Sequence, residues 1–372
     1  MNNKENINKN FFLKHLNKFI IIFIYIFIFA FFLYLPNFLN LFSKRDNVIN
    51  VYTFTDMISP ETAHDFEKQT DIKINLKYFD TNEELYAKFK ISRGKGYDLI
   101  TPSDSWVELL VQQDLLAKID TKKISNFKYL DRRLIGKYFD KNNSYSIPYF
   151  WSTDGIVFNK EKCRNFNINW DIIFNKPNDL KFKICMIDSS KEAFMMAAIY
   201  LLGRTDKLTH LELEKIKNIL TNQKEWVEIY MLSSLQYYLF SDVVPLAVTS
   251  SAFAKKVLEL SDKYDYVIPD QGSILLIDNL VIPKESNKID LVHKFIDYLI
   301  SKDIIFYNSE KYGYNPSNEL AYKMANPRFL KNNSFYPDDK TFAKLYLLDN
   351  EMDMKKIDDM WLEVQLTKKD RN

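Results

Sequence analysis

Hydrophobic and polar positions follow two different periods along this chain, and the switch between them repeats. Val48–Phe54 (VINVYTF) reads as a strand, Pro60–Thr70 (PETAHDFEKQT) as a helix, and Ile72–Tyr78 (IKINLKY) alternates as a second strand. Asn82–Ser92 has a helical pattern and Tyr97–Ile100 is a short buried strand. After a turn at Thr101-Pro102 comes an amphipathic helix with apolar positions Trp106, Leu109, Leu110 and Leu116. Strand then helix, three times over, is the pattern of a doubly wound α/β unit. Ser103 or Asp104 is a natural N-cap for the third helix. A strand that hands a polar cluster to a helix N-terminus is how open α/β sheets present ligands at their carboxyl edge, although an ordinary capped helix has the same sequence.

Beyond that point Tyr145–Phe158 (YSIPYFWSTDGIVF) reads as two extended pieces joined by a Trp-Ser-Thr-Asp turn. A second unit starts near there. Phe182–Ile187 is a strand, Glu192–Leu202 and Leu211–Thr221 are helices, and Pro245–Val248 is a strand that leads through Thr249-Ser250-Ser251 into a helix over Ala252–Leu260. Ser273–Pro283 (SILLIDNLVIP) is a long apolar extended run broken by Asp278, and helices from Leu291–Leu299 onward complete the chain. At 372 residues the chain exceeds one typical core, and no repeat or low-complexity linker divides it. Two lobes joined by strands are therefore expected.

The N-terminus is distinct. Phe19–Phe42 is almost wholly apolar and is preceded by Lys4, Lys9, Lys14 and Lys18. About 20 apolar residues suffice to cross a bilayer core, and the lysines put the N-terminus on the cytoplasmic side. The sequence thus predicts a cytoplasmic N-terminus and anchor over residues 1–45, with the bulk outside the inner membrane. A cleaved signal is the alternative, without a small-x-small cleavage site to mark it. No cysteine follows the run, so a lipoprotein anchor is excluded. The leader holds six Lys/Arg and one Glu, so of 51 basic and 49 acidic side chains 45 and 48 belong to the rest. The folded part is mildly acidic, which counts against nucleic acid as a partner.

The remaining chemistry is sparse. Seven glycines, with no GxGxxG, GxxxxGK or GxSxG, remove the usual signatures of nucleotide enzymes and nucleophile-elbow hydrolases. No cofactor is implied. His15, His64, His210 and His293 are scattered without paired ligand spacing, so no metal site is predicted. Cys163 and Cys185 are either a disulfide permitted by export or two small core residues.

Taken in order, VYTFTDMISPE, ETAHDFEKQTDIKI, NEELYAKFK, YDLITPSD, SIPYFWSTDGIVFN, MIDSSKEAF, SSAFA, IDNLVIP and YGYNPSNELA resemble the periplasmic spermidine/putrescine-binding proteins of ABC importers. The resemblance spans residues 48 to 365. It implies an α/β, two-lobed periplasmic-binding-protein-like (type II) fold with mixed sheets flanked by helices, beside the N-terminal hydrophobic helix. The expected lobes are 46–153 with 278–324 and 154–277 with 325–372. It also implies no enzymatic activity, a polyamine ligand, the permease subunits of an ABC transporter as partners, and the inner membrane as a partner of the N-terminal helix.

A polyamine sets chemical requirements of its own. Each buried ammonium needs a carboxylate or several acceptors, because an unpaired buried charge costs several kcal/mol. The methylenes need apolar walls, and aromatic faces suit both parts. By resemblance, Glu192 and Asp278 match carboxylates that hold amino groups, and Ser189 stands where the family has another acid, with Asp188 adjacent. Thr55 and Ser103 match polar contacts, Phe54 stands for a Trp, and Tyr314 matches a pocket tyrosine. Asp104 belongs to the same corner as Ser103, and Ser105 stands where a tyrosine is common. Met57, Val248, Leu276 and Leu348 also depart from the family pattern, so a different small cation or organic solute on the same fold is the alternative ligand reading. A membrane-anchored sensor is a variant of the receptor. An enzyme using Asp188 and Glu192, four residues apart, is the rival from another class, and no nucleophile–base pair supports it.

Overall fold

The computed structural model describes residues 24–35, 47–231, 235–348 and 354–367. Its strands are β1 (Val48–Phe54), β2 (Lys73–Phe79), β3 (Leu99–Ile100), β4 (Ser146–Asn159), β5 (Ile184–Met186), β6 (Val227–Tyr230), β7 (Leu246–Ser250), β8 (Tyr264–Val267), β9 (Ser273–Val281), β10 (Asn315–Pro316) and β11 (Leu345–Leu347). They run in the order β2-β1-β3-β9-β4-β7-β5-β6, with β8 and β10 also on β4 and β11 on β9. The strands β2-β1-β3 form one parallel block and β7-β5-β6 another. Antiparallel β9 and β4 join the blocks.

Parallel neighbours need crossovers, and the helices between them are well capped. Pro60–Thr70 starts on Ser59, whose Oγ accepts the Thr62 N–H, and ends on Asp71 in the left-handed region. Asn82–Ser92 starts on Thr81. His210–Gln223 carries a reciprocal Thr209/Glu212 capping box. Apolar clusters cover both faces of each block. Ile49, Val51 and Phe295 lie on one side of the first block, with Tyr52, Phe89 and Leu110 on the other. The second block is sandwiched between a cluster around Trp170, Phe194 and Ile216 and one around Ala247, Val257 and Tyr266.

Two expectations from sequence are corrected by β4 and β9. The Trp-Ser-Thr-Asp segment is no turn: Ser146–Asn159 is one continuous strand of 14 residues, nearly all buried. Asp278 likewise does not interrupt β9. β9 pairs with β3 of the first block and β4 with β7 of the second, and the two pair with each other, so burial on both faces overrides the polar residues that read as breaks. The membrane-spanning anchor expected over 19–42 is also not borne out. That segment is described only over 24–35, a single helix with exposed Ile24, Phe27, Phe31 and Tyr34, and 19–23 and 36–42 lie outside the described residues. Among the described residues no helix is long and apolar enough to cross a membrane. Finally, Cys163 and Cys185 are buried free thiols in different clusters, both pushed up to about 12 by burial, so no disulfide joins them.

The crossing strand leaves no room at Gly155, where an added Cβ would meet the Val267 carbonyl at 2.5 Å and the Tyr266 hydroxyl at 2.6 Å. Gly155→Ala is expected to lower stability by about 1–3 kcal/mol, read as a lower urea midpoint at unchanged slope. A wild-type midpoint would show that β4 and β8 can part at no cost.

Candidate functional site

The register of β4 and β9 sets the frame of the site. Phe150 pairs with Asp278 and Ser152 with Leu276, so alternation puts Phe150, Ser152 and Asp154 on the same sheet face as Asp278 and Leu276. The opposite face carries Trp151, Leu275 and Ile277, packed with Phe342. Tyr314 stacks on Phe150, with centroids 5.3 Å apart and planes 7° from parallel. An aromatic pair therefore stands beside Asp278.

The corner after β3 meets this face directly. Ser103 forms an isolated antiparallel bridge with Asp278, and the Asn279 N–H donates to the Pro102 carbonyl at 2.9 Å. Ser103 occupies the N-cap position of the helix Asp104–Gln112 without a side-chain cap bond. Its Oγ instead accepts from Asn82 Nδ2 at 2.9 Å. Asp104 is fully buried: Oδ1 accepts the Ser105 N–H at 2.8 Å, while Oδ2 has no hydrogen-bond partner among the described residues. Ser105 is buried beside it.

A second corner lies after β5. Ser189 caps the helix Ser190–Leu202, its Oγ accepting the Glu192 N–H. Glu192, in the first turn, is half-buried. On the strand face opposite lies Asp154, fully buried, with neither carboxylate oxygen hydrogen-bonded among the described residues.

The two corners sense each other. Burial pushes the Asp278 carboxyl up to about 8, and the Asp104 charge adds to the rise. Asp104 is pushed up to about 7 by burial, against the Ser105 N–H and the Lys191 ammonium, which lower it. Burial likewise lifts Glu192 to about 7; Lys191 opposes this, and Glu83 from the helix Asn82–Ser92 reinforces it. Asp154 is raised by burial and then by Glu192. Lys191 thus acts on Asp104 of the first block, and Glu83 of the first block acts on Glu192. None of these four carboxylates enters an ion pair among the described residues. Nor do these residues hold any group of three or more metal-ligating side chains placed to bind an ion. Three buried acids and a half-buried one, with one lysine among them, are short of positive charge. What such a surface can take up is a cation. An open cavity of about 410 Å³ lined by Asp131, Arg133 and Asp339 lies elsewhere, and there Arg133 is already paired with both aspartates.

Of the residues singled out from sequence, Ser103, Asp104, Ser105, Ser189, Glu192, Asp278 and Tyr314 thus gather around one face. Phe54 sits at the carboxyl end of β1 against Phe79, with its N–H on Thr101 Oγ1 at 3.2 Å, half-buried at the same sheet edge. Two others are exposed. Thr55 is exposed and donates to Asp80 at 3.3 Å, and Asp188 is exposed and accepts from Gln365 Nε2 at 2.9 Å. Trp151 faces the other side, its Nε1–H on the Pro316 carbonyl, so it clamps the crossing strands. Sequence reading missed Asp154, Lys191, Glu83 and Phe150. Only Asp154 left a signal, a carboxylate inside the buried run SIPYFWSTDGIVF.

Comparison with known proteins bears on the fold and the family. The spermidine/putrescine-binding periplasmic protein of Salmonella typhimurium is 28% identical over 304 residues, 80% of this chain and 86% of that protein. That of Escherichia coli is 29% identical over 298 residues, covering 80% and 85%. A crystal structure of the substrate-binding protein of a spermidine/putrescine ABC transporter from Streptococcus pneumoniae superimposes with a TM-score of 0.78 at 28% identity, over 86% of this chain and 99% of that one. The family model for bacterial extracellular solute-binding proteins matches residues 61–335. The chain belongs to the bacterial extracellular solute-binding protein family.

Proposed function

We propose that this protein is an extracytoplasmic receptor that captures a polyamine between two lobes and delivers it to the permease subunits of an ABC importer. The lobes in this reading are 46–153 with 278–324 and 154–277 with 325–372, with β4 and β9 crossing between them. The observation that carries the reading is the set of carboxylates around Asp278, none in an ion pair among the described residues, on a face walled by Phe150, Tyr314 and Leu276. Ammonium groups would neutralise the acids, and the rings and Leu276 would cover methylenes. The relatives named for spermidine and putrescine support the same ligand class. Export is part of the reading and is supported by the lysine-preceded apolar run 19–42.

The protonation of these acids gives the pH dependence of stability a definite sign. Asp278, Asp104 and Glu192 hold protons up to about pH 7–8 in the folded chain. The same side chains in the unfolded chain lose them near pH 4, so stability is fully present below that value and falls as pH rises toward 8. The melting temperature of the unliganded protein is expected to be higher at pH 5 than at pH 8, with Asp278→Asn flattening the slope. A profile that instead rises from pH 5 to 8 would place these acids in paired surroundings.

Binding itself is tested by thermal shift and calorimetry with putrescine and spermidine. A ligand at 100 times its Kd is expected to add about 2.7 kcal/mol of stability. Asp278→Asn should weaken binding at least about tenfold, about 1.4 kcal/mol, without loss of fold. Absence of stabilisation by either polyamine at hundred-micromolar levels would defeat the reading.

A further inference from the structure

Asp154 is not among the positions through which the resemblance assigns ligand contacts, yet it is the most completely isolated charge-bearing group of the site. It lies on β4 opposite Ser250 of β7, on the face that also carries Asp278 and Leu276. Its backbone is settled, the carbonyl accepting from Ser273 Oγ at 2.6 Å. Its side chain is not: the residue is fully buried and both carboxylate oxygens lack a hydrogen-bond partner among the described residues. No described cation pairs with it, and the charge that acts on it is the like charge of Glu192. A finished core would place an apolar or hydrogen-bonded side chain here, because an unpartnered buried carboxylate opposes folding.

We propose that Asp154, with Glu192, holds one ammonium of the bound polycation while Asp278 and Asp104 hold another; this rests on the polyamine reading above. The level of Asp154 lies four residues along the strands from the Phe150–Asp278 pair, about 13 Å. A fully extended four-carbon diamine spans about 6 Å between its nitrogens, and a contact of about 2.8 Å at each end brings its reach to about 12 Å, close to the separation of the two levels. A triamine has room to bend. Between the two acidic ends lies the Ser152–Leu276 pair, whose leucine offers apolar surface to the methylenes. Asp154 thereby supplies the acid that Ser189 does not.

The test is calorimetric titration of the full chain and of its Asp154→Asn variant, which keeps the shape of the side chain, with putrescine, spermidine and n-butylamine. The expected result is a loss of about tenfold or more for the two polyamines. For n-butylamine, whose single ammonium can settle on Asp278, the loss should stay under about threefold. The melting temperature of the unliganded variant should not fall. A variant that melts like the wild type and binds both polyamines with wild-type affinity overturns the proposal alone. A wild-type protein that binds neither polyamine overturns the polyamine reading and this proposal together. Should the Asn variant fold poorly, Asp154→Thr is measured in its place, and failure of both to fold would make Asp154 a structural group and end the proposal.

Discussion

The antiparallel pairing of Ser146–Asn159 with Ser273–Val281 is the constraint on which everything else hangs. Ser273–Val281 hydrogen-bonds into the first parallel block, Ser146–Asn159 into the second, and the two pair with each other. That continuity fixes which residues of the two blocks can meet, because side chains on a ladder share faces by strict alternation. One face packs Trp151, Leu275 and Ile277 into a small core with Phe342. The other presents Phe150, Asp278, Leu276 and Asp154 to the corners at Ser103 and Ser189. A one-residue slip would exchange the two sets, burying the acids in the Trp151 core.

The site is built at the expense of electrostatic comfort. Asp104 and Glu192 both stand in the first turn of a helix, where the dipole favours negative charge. Burial nevertheless outweighs the dipole and lifts both toward neutral pH. Asp278 and Asp154 have no such helix end and are lifted further from the usual carboxylate range. A protein selected only for stability would not gather these groups around one lysine. A receptor for an organic polycation gains from doing so, because the uncompensated charge becomes differential affinity when the ligand arrives.

Much of this was legible in the sequence. The helices over Pro60–Thr70 and Asn82–Ser92 and the strand Val48–Phe54 were readable from caps and periodicity because their signals are local: Ser59, Thr81 and the alternation of VINVYTF act within a few residues. The Ser103–Asp104 corner and Asp278 stood out as polar residues at or within apolar runs. Thr55 and Asp188 were placed near the ligand by position in the chain; both are exposed, bonded to Asp80 and to Gln365. The expected turn at Trp151–Asp154 failed for a physical reason. Polar residues in a run mark a break only when they reach water, and here the strand is buried in the seam between two blocks.

The sequence alone determined the alternation of strands and helices, the capped corners and the supply of acids, because each depends on neighbours in the chain. Which acids share a face, and which lose every partner, was decided only by tertiary structure. Asp154 and Asp278 are 124 positions apart in the sequence, and their kinship exists only through the β4–β9 register. The pull of Lys191 on Asp104 likewise exists only where the second block closes on the first. Burial and electrostatic environment are properties of the packed chain, so the charge state of the site could not be read before the fold was known.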